Sequence, residues 1–454
     1  MRVAIIGSGI AGLAAAHALA GAHDVVMFEA AARAGGHVYT VDADGHAIDM
    51  GFIVHNRERY PQFCALLDEL GIATRPTTMS FSVVHDNLEW GSESLSAMFA
   101  QRRRLVDPRH WLFLGRVVRF LVHARRDLAE VETRSLLGTA RDVVAGEART
   151  TRDVVAGEAR TARDVVTRAS LDDYLRVRRV PDAIRERFVV PLAAALWSLA
   201  PDRCGEFPVL TFLRFLDQHG MLTPIKPLRW HTIAGGSRRY VDALLARLHA
   251  RGGFTLRLAT PITGIDRDSR GVTVHGATGS ERFDRVIIAT HADTALRLLA
   301  EPTSDERRVL GAFRYTTNRT VLHTDRAFLP TRVAAHAAWN YVADPDTSRV
   351  AVTYSMTRLQ GLPVAPNGAP YLVTLNPRRE PRGILHEVQF AHPQFDRAAL
   401  SAQVELPNLA GVLRTYYAGA HFGFGFHEDG MRSGLAAAAR ALVDATADME
   451  RAAS

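Results

Sequence analysis

Val3-Ala4-Ile5-Ile6-Gly7-Ser8-Gly9-Ile10-Ala11-Gly12 is the stretch that decides the fold. An apolar run reads as a strand, a G-x-G-x-x-G turn follows it, and a small-residue helix runs from Leu13 to Ala20. Gly7 permits the tight turn, Gly9 lets bare backbone approach a pyrophosphate, and Gly12 lets helix and strand pack closely. Ile10 and Ala11 fill the turn, so the free N–H groups and positive end of the helix meet the same pyrophosphate. The next apolar run, Asp24-Val25-Val26-Met27-Phe28, ends at Glu29. That places a carboxylate about 20 residues past the first glycine, where a ribose diol is held. Ala30, Ala31 and Ala32 follow it, and Arg33 comes only after them. No arginine stands beside Glu29 to receive a 2′-phosphate. The residues therefore predict a site for an adenine dinucleotide.

Composition bounds the rest. The chain has 454 residues, enough for two or three structural units, and its 47% hydrophobic content suits a well-cored globular protein. Two cysteines, Cys64 and Cys204, cannot build a disulfide framework. They read as small buried apolar residues in a reducing compartment, so the expected location is cytoplasmic. No basic n-region precedes an apolar stretch at the start, and no window is long and apolar enough to span a membrane. The net charge is +7, carried almost wholly by arginine, since Lys226 is the only lysine. The charges are dispersed without a nucleic-acid module, so nucleic acid is not an expected partner. No H-E-x-x-H or paired-cysteine spacing points to a metal.

Outward from the first motif, the chain reads as βαβ, then a helix from Tyr60 to Gly71 and a strand over Met79–Val83. Residues 92–220 read as mostly helical. Ser237 has the position of a helix N-cap, before a helix Arg238–Arg251. Phe254–Asp266, Val272–His275 and Arg285–Ala289 read as strands, Ala292–Leu299 as a helix, and 312–390 as alternating strands. The last unit reads as a strand Leu413–Ala418, a glycine-aromatic loop that includes His427-Glu428-Asp429, and a helix Met431–Ala445. An 11-residue unit, 139–149, recurs at 150–160 and begins again at 161. Its period is close to three helical turns and reads as a duplication within a tolerant helix. Residues 102–126 have a second character. Arg116, Arg119, His123 and Arg126 share one helical face, and Trp111, Leu114, Val118, Leu121 and Val122 another. This predicts either a surface helix packed on the core or a peripheral contact with an anionic inner membrane face.

Two further segments bear on the cofactor. Arg33-Ala34-Gly35-Gly36-His37 and Asp49-Met50-Gly51-Phe52 bring bare backbone near the pyrophosphate and ribityl region, which a plain nicotinamide domain does not need. Near the other end, Tyr416-Tyr417-Ala418-Gly419-Ala420 leads through His421-Phe422-Gly423-Phe424-Gly425-Phe426 to His427-Glu428-Asp429-Gly430-Met431-Arg432-Ser433-Gly434. With these residues the chain resembles the flavin-containing amine oxidase and phytoene desaturase superfamily. That family has the same first motif, R-x-G-G segment and D-x-G segment. It also has a middle strand ending as Val286-Ile287-Ile288-Ala289-Thr290 does here, and a C-terminal G-x(n)-G-x-x-S-G cap. The resemblance implies FAD and an α/β chain of two interleaved domains. A Rossmann-like FAD-binding domain is expected over 1–83, 231–295 and 409–454. An α+β substrate domain is expected over 84–230, mostly helical, and 296–408, a mixed sheet.

One bacterial branch is more similar still, itself similar to the N-terminal oxidase-like domain of plant cyclopropane fatty acid synthases. Gly51-Phe52-Ile53-Val54-His55-Asn56, Leu196-Trp197-Ser198, Trp339-Asn340-Tyr341 and Gly425-Phe426-His427-Glu428-Asp429-Gly430 are among the matching stretches. The resemblance implies a lipid or fatty-acyl substrate and, as one alternative, a partnership with a lipid methyltransferase. Residue by residue, Gly7, Gly9 and Gly12 would hold the pyrophosphate, and Glu29 the ribose. Arg33, Gly35, Gly36 and His37 would line the pyrophosphate and ribityl path, and Gly51 and Phe52 would pass near the flavin. Ile262 would meet adenine through its backbone. Ala289 and Thr290 would end the middle strand near the cofactor. Gly419, Ala420, Gly430 and Met431 would cover the ribityl chain and pyrimidine edge. Many relatives carry an acid where Ala420 stands here, and Glu428 is the substitute, with a competing reading as a helix N-terminal carboxylate. Amine oxidases hold a lysine near the flavin, and Lys226 lacks a matching context, which argues against simple amine oxidation.

The expected reaction is hydride transfer between an acyl-chain carbon and flavin N5, with a nearby base moving the proton. His55, His421 and His427, with Tyr354 behind them, are the candidates. Trp197, Trp339 and Phe424 are candidate walls of an apolar tunnel. A flavin-dependent double-bond isomerase, an amine oxidase and a non-catalytic FAD-binding subunit remain alternatives.

Overall fold

The structure is a computed structural model that describes residues 1–145, 169–197, 202–222, 228–343 and 351–453. Most of the 11-residue repeat, the side chain of Trp197 and Lys226 lie outside the described residues.

The glycine motif sits on a five-stranded parallel sheet. Its order is Phe254–Arg257, Asp24–Phe28, Arg2–Ile6, Arg285–Ile288, Thr415–Tyr417. The three central strands are apolar after their first residue because both faces are covered. Val3, Ile5, Val25, Met27 and Ile287 pack towards the helices Ile10–Leu19, Arg238–Arg251 and His427–Ala453. Ala4, Ile6, Val26, Phe28, Val286 and Ile288 pack on the other side, against a three-stranded antiparallel sheet (262–283) and the helices Ala292–Leu298 and Ser304–Leu310. The two sets alternate along each strand, as a pleated strand requires.

A seven-stranded sheet forms the second body. Its order is Ile384–Gln394, Arg314–His323, Leu372–Leu375, Val352–Ser355, Trp339–Val342, Phe81–His85, Leu88–Gly91. Neighbours run antiparallel except Trp339–Val342 with Phe81–His85. One face carries the helical layer, in which Phe113, Val117, Phe120, Leu121, Tyr174, Phe212 and Phe215 meet Phe81, Val83, Tyr341 and Val352. Leu322, Met356, Tyr371, Val373 and Phe390 build a separate core on another part of the sheet.

Several local expectations shift. The first helix begins at Ile10, three residues early, because Gly9 already serves as its N-cap. The run Phe254–Asp266 is two strands in two sheets, parted by a corner where Ala259 takes a φ of 49°. The strand expected at Leu413–Ala418 shrinks to Thr415–Tyr417, since Leu413 and Arg414 turn with positive φ. His427-Glu428-Asp429 is not loop but the first turn of the last helix, where its carboxylates meet the helix dipole favourably. Ser237 holds the N-cap position without capping through its side chain: its N–H donates to Asp49 and its hydroxyl to the Phe52 carbonyl. Both cysteines are buried. Among the described residues no helix is long and apolar enough to cross a membrane.

Candidate functional site

The glycine turn lies at the carboxyl ends of the parallel strands, where open α/β sheets bind ligands. Gly7 has a φ of 101°, and a Cβ there would lie 2.7 Å from the Ala289 carbonyl oxygen. A Cβ on Gly12 would lie 2.0 Å from the Gly7 carbonyl oxygen. These two glycines are required by protein contacts alone. Gly9 is different: a Cβ there would meet nothing within 4 Å, so the turn opens onto free space. The helix it caps has no side chain bonded to its first N–H groups. Gly36, with a φ of 56°, brings its backbone against Gly9, where a Cβ would stand 3.0 Å from the Gly9 Cα. Two bare backbones thus border the same opening.

Glu29 stands at the end of its strand, and its carboxylate accepts from the Ser8 N–H (2.9 Å), the Ser8 hydroxyl (2.6 Å) and the Ala31 N–H (2.9 Å). Thr260 donates its N–H to the Glu29 carbonyl, which lays Thr260-Pro261-Ile262 beside the ribose end. Arg33 donates to the carbonyls of Val38 and Gly36, each at 2.8 Å, and lies 4.0 Å over the Tyr39 ring. It braces the R-x-G-G loop with carbonyls and keeps its charge uncompensated by a directly bonded carboxylate. Ala289 and Thr290 abut Gly7. Gly419 exchanges hydrogen bonds with the Ser433 hydroxyl, and Gly430 packs on Ile10. Ala420 lies beside Gly430, followed by buried Met431. Glu428 engages both carboxylate oxygens with the N–H groups of Gln62 and Phe63, at 3.0 Å each. The geometry favours its role as a cap that ties the last helix to Pro61–Glu69, rather than as the stand-in for an acid at Ala420.

Gly51 marks a second close approach. A Cβ there would lie 1.9 Å from the His37 carbonyl oxygen, which accepts from the Phe52 N–H. Phe52 stacks on His427 at 3.8 Å, and Phe63 meets the edges of both rings. His427 Nε2 is bonded to the Tyr240 hydroxyl at 2.7 Å. His55 also packs on Phe63, at 5.6 Å. Burial lowers the His427 pKa far below the usual range and the His55 pKa to about 4, with neighbouring histidines adding to both. His37 stacks on Phe390 beside His392 and His291, and burial lowers its pKa to about 3. The same cause takes His421 to about 3. These imidazoles are neutral. His55 Nδ1 and His421 Nε2 are buried without a hydrogen-bond partner.

The four candidate proton carriers do not form one cluster. His55 and His427 share Phe63, His421 lies against Phe313, and Tyr354 lies edge-on to Trp339 at 5.5 Å. Tyr354 and Trp339, both half-buried, touch the helical core and the Leu322–Phe390 core. Burial nevertheless raises the Tyr354 pKa to about 12. Both rings therefore sit where the two cores meet. Phe424 packs on the helical core.

Asp49, Tyr240, Ser8, His291 and His392 were not selected from sequence. Asp49 is fully buried and accepts from Thr40, Ser237 and Gln360. Burial raises its pKa to about 6 against those hydrogen bonds. Its one signal was the D-x-G segment. Tyr240 and the two histidines sit in ordinary helix and strand patterns and carried none.

An elongated dinucleotide fits this arrangement. There is an open glycine cradle, an uncapped helix N-terminus and a carboxylate at the ribose end. The comparisons agree. The sequence model of the family described as flavin containing amine oxidoreductase matches residues 10–374. AofH of Mycobacterium tuberculosis, assigned as a flavin-containing monoamine oxidase, is 26% identical over 294 residues, 63% of this chain and 56% of that protein. The chain thus spans little more than half the length of this curated relative. Putrescine oxidase bound to putrescine has a TM-score of 0.66 at 15% identity, covering 97% of this chain and 99% of that one. The CLA-producing fatty acid isomerase from P. acnes has a TM-score of 0.63 at 17% identity, covering 97% and 98%. At these identities the structures share the fold.

Proposed function

Because the chain belongs to the flavin containing amine oxidoreductase family and is accordingly an FAD-dependent oxidoreductase, we propose that it acts on the carbon chain of a lipid or fatty-acyl substrate, removing or adding two hydrogens. Bound FAD supplies the two-electron chemistry. The chain's own residues bind, orient and move the proton. Gly7, Gly9, Gly36 and the helix N-terminus receive the pyrophosphate, and Glu29 the ribose. Phe52 and His427, locked by Tyr240, give the cofactor region a rigid, uncharged wall. Neutral His55, with a free Nδ1, is the group suited to accept a proton in a space that excludes water.

The observation that carries the lipid reading is the apolar, uncharged character of the side chains where the two cores meet. Trp339 and Tyr354 present aromatic carbon, and the histidines beside the site are neutral. The buried carboxylate nearby, Asp49, is already engaged by three partners. An apolar chain packs against such side chains without a desolvation cost, whereas an ammonium group needs a charge partner. The fold neighbour described as a fatty acid isomerase supports the reading, since it is a protein of this fold named for a fatty acid. The oxidases of putrescine and cyclohexylamine among the neighbours support amine oxidation as the second reading.

The test is anaerobic mixing of the FAD-loaded protein with unsaturated and saturated acyl lipids and, separately, with diamines. Loss of flavin colour with an acyl lipid, and a product two mass units lighter, supports the proposal. A product of unchanged mass with a moved double bond assigns isomerisation instead. Bleaching by diamines alone, with aldehyde formed, overturns it.

A further inference from the structure

Eight arginines and one carboxylate, Asp107, lie between residues 102 and 126. Asp107 is paired with Arg104 at 2.9 Å. The helix Pro108–Ala145 buries His110, Phe113, Val117, Phe120, Leu121, Ala124 and Leu128 against the helical core. Its outward side is wider than the arginine face that the sequence pattern marks. Trp111 (53% exposed), Val118 (49%) and Val122 (54%) stand on it, at i, i+7 and i+11, one line down the helix. Exposed Arg119 and Arg126, the latter paired with Glu130 at 3.1 Å, flank that line on one side and Arg125 on the other. The preceding turn, Arg102–Val106, adds Val106 at 87% exposure and Leu105 at 47%. Trp111 is held there rather than left loose, since its indole N–H donates to the Leu105 carbonyl at 2.9 Å.

Beside this stripe a pocket is lined by Arg104, Arg109 and Arg187, with His110, Asn87 and Asp86. Arg187 Nε is buried without a hydrogen-bond partner, and its guanidinium lies 3.8 Å from Asp86. With Arg104 paired to Asp107, two further cations, Arg109 and Arg187, thus face the one carboxylate Asp86.

We propose that this face, Leu105, Val106, Trp111, Val118 and Val122 with its flanking arginines, docks the protein on a bilayer of anionic phospholipid, with a lipid phosphate taken by the Arg104–Arg109–Arg187 pocket. An apolar line bordered by cations is the form of a helix that lies in a membrane interface: the side chains enter the acyl boundary while the guanidiniums reach phosphates. A protein partner of ordinary composition does not call for arginine on both borders and almost no acid. The proposal is independent of the substrate reading and would stand if the substrate were an amine.

The experiment is sedimentation of the full-length holoprotein with vesicles of phosphatidylcholine alone, and with vesicles containing phosphatidylglycerol. The protein is expected to sediment with the anionic vesicles only, and to be released as salt rises. The variant Trp111→Ser, Val118→Ser, Val122→Ser is expected to lose binding. Arg116→Gln, Arg119→Gln, Arg125→Gln is expected to weaken it about a hundredfold. All six positions are exposed, so melting temperature and bound FAD should be unchanged. The salt titration of the unaltered protein needs no variant. Failure to sediment with anionic vesicles, equal binding to both vesicle types, or variants that bind as the parent does would each overturn the proposal.

Discussion

A methyl group distinguishes two roles among the glycines. At Gly12 it would collide with the Gly7 carbonyl, and at Gly9 it would meet empty space. Gly12→Ala is therefore expected to yield little folded protein. Gly9→Ala should melt within about 2 °C of the parent when both lack FAD, because surface changes away from special features are nearly neutral, yet retain markedly less FAD. Flavin content per chain and apoprotein melting curves decide it. An equal FAD content would show that Gly9 does not border the cofactor. Tyr240→Phe leaves His427 Nε2 buried and unpaired, and a loss of about 1–3 kcal/mol is expected in denaturant unfolding. An unchanged midpoint would mean that the 2.7 Å bond contributes nothing net. These single-residue roles were unevenly legible. Gly7, Gly9 and Gly12 announce themselves by spacing. Tyr240 acts only through a partner 187 positions away in the chain, which no local pattern encodes.

At the scale of elements, the buried pair Arg267–Glu306 joins the antiparallel sheet to the helix Ser304–Leu310. Glu306 also accepts from the Tyr417 hydroxyl at 2.6 Å. Removing one partner strands the other charge, so Glu306→Ala is expected to lower stability by about 3–5 kcal/mol. A loss under about 1 kcal/mol would contradict that burial. Glu428→Ala should loosen the start of Pro61–Glu69 and cost about 1–2 kcal/mol. Faster hydrogen exchange at the Gln62 and Phe63 amides would report it, and unaltered exchange would count against the cap. The elements themselves were largely readable, because continuous apolar runs and the glycine turns mark the parallel sheet. The misread ones share a cause. Leu413 and Ala259 adopt positive φ without being glycine, so their turns carried no signal. The start of the last helix was hidden because its first turn is fixed from outside, by Asp429 accepting from the Phe424 and Phe426 N–H groups.

Across the whole molecule, buried imidazoles set the response to acid. His55, His219, His323 and His392 are lowered to about 4, and His37 and His421 to about 3, all chiefly by burial. Below the ordinary histidine pKa of about 6.5 the unfolded chain takes up protons that the folded one refuses. Their contribution is therefore intact above about pH 6.5 and is lost as pH falls towards 4, by about 1.4 kcal/mol per pH unit for each proton. Asp49, raised to about 6, and Glu428 and Asp429, also raised by burial, act in the opposite sense, but they are fewer than the lowered imidazoles. The melting temperature should fall steadily from pH 6.5 to 4.5, and a flat profile would contradict neutral buried histidines.

The convergence of four distant segments is the claim on which the functional account stands: 7–12, 33–37, 289–290 and 419–431 border one opening at the ends of the parallel strands. Denaturing the purified protein and quantifying the flavin set free tests it most directly. The account predicts FAD in equimolar amount with the chain, or its stoichiometric uptake by apoprotein. Protein that releases no flavin and takes up none when FAD is supplied would contradict it.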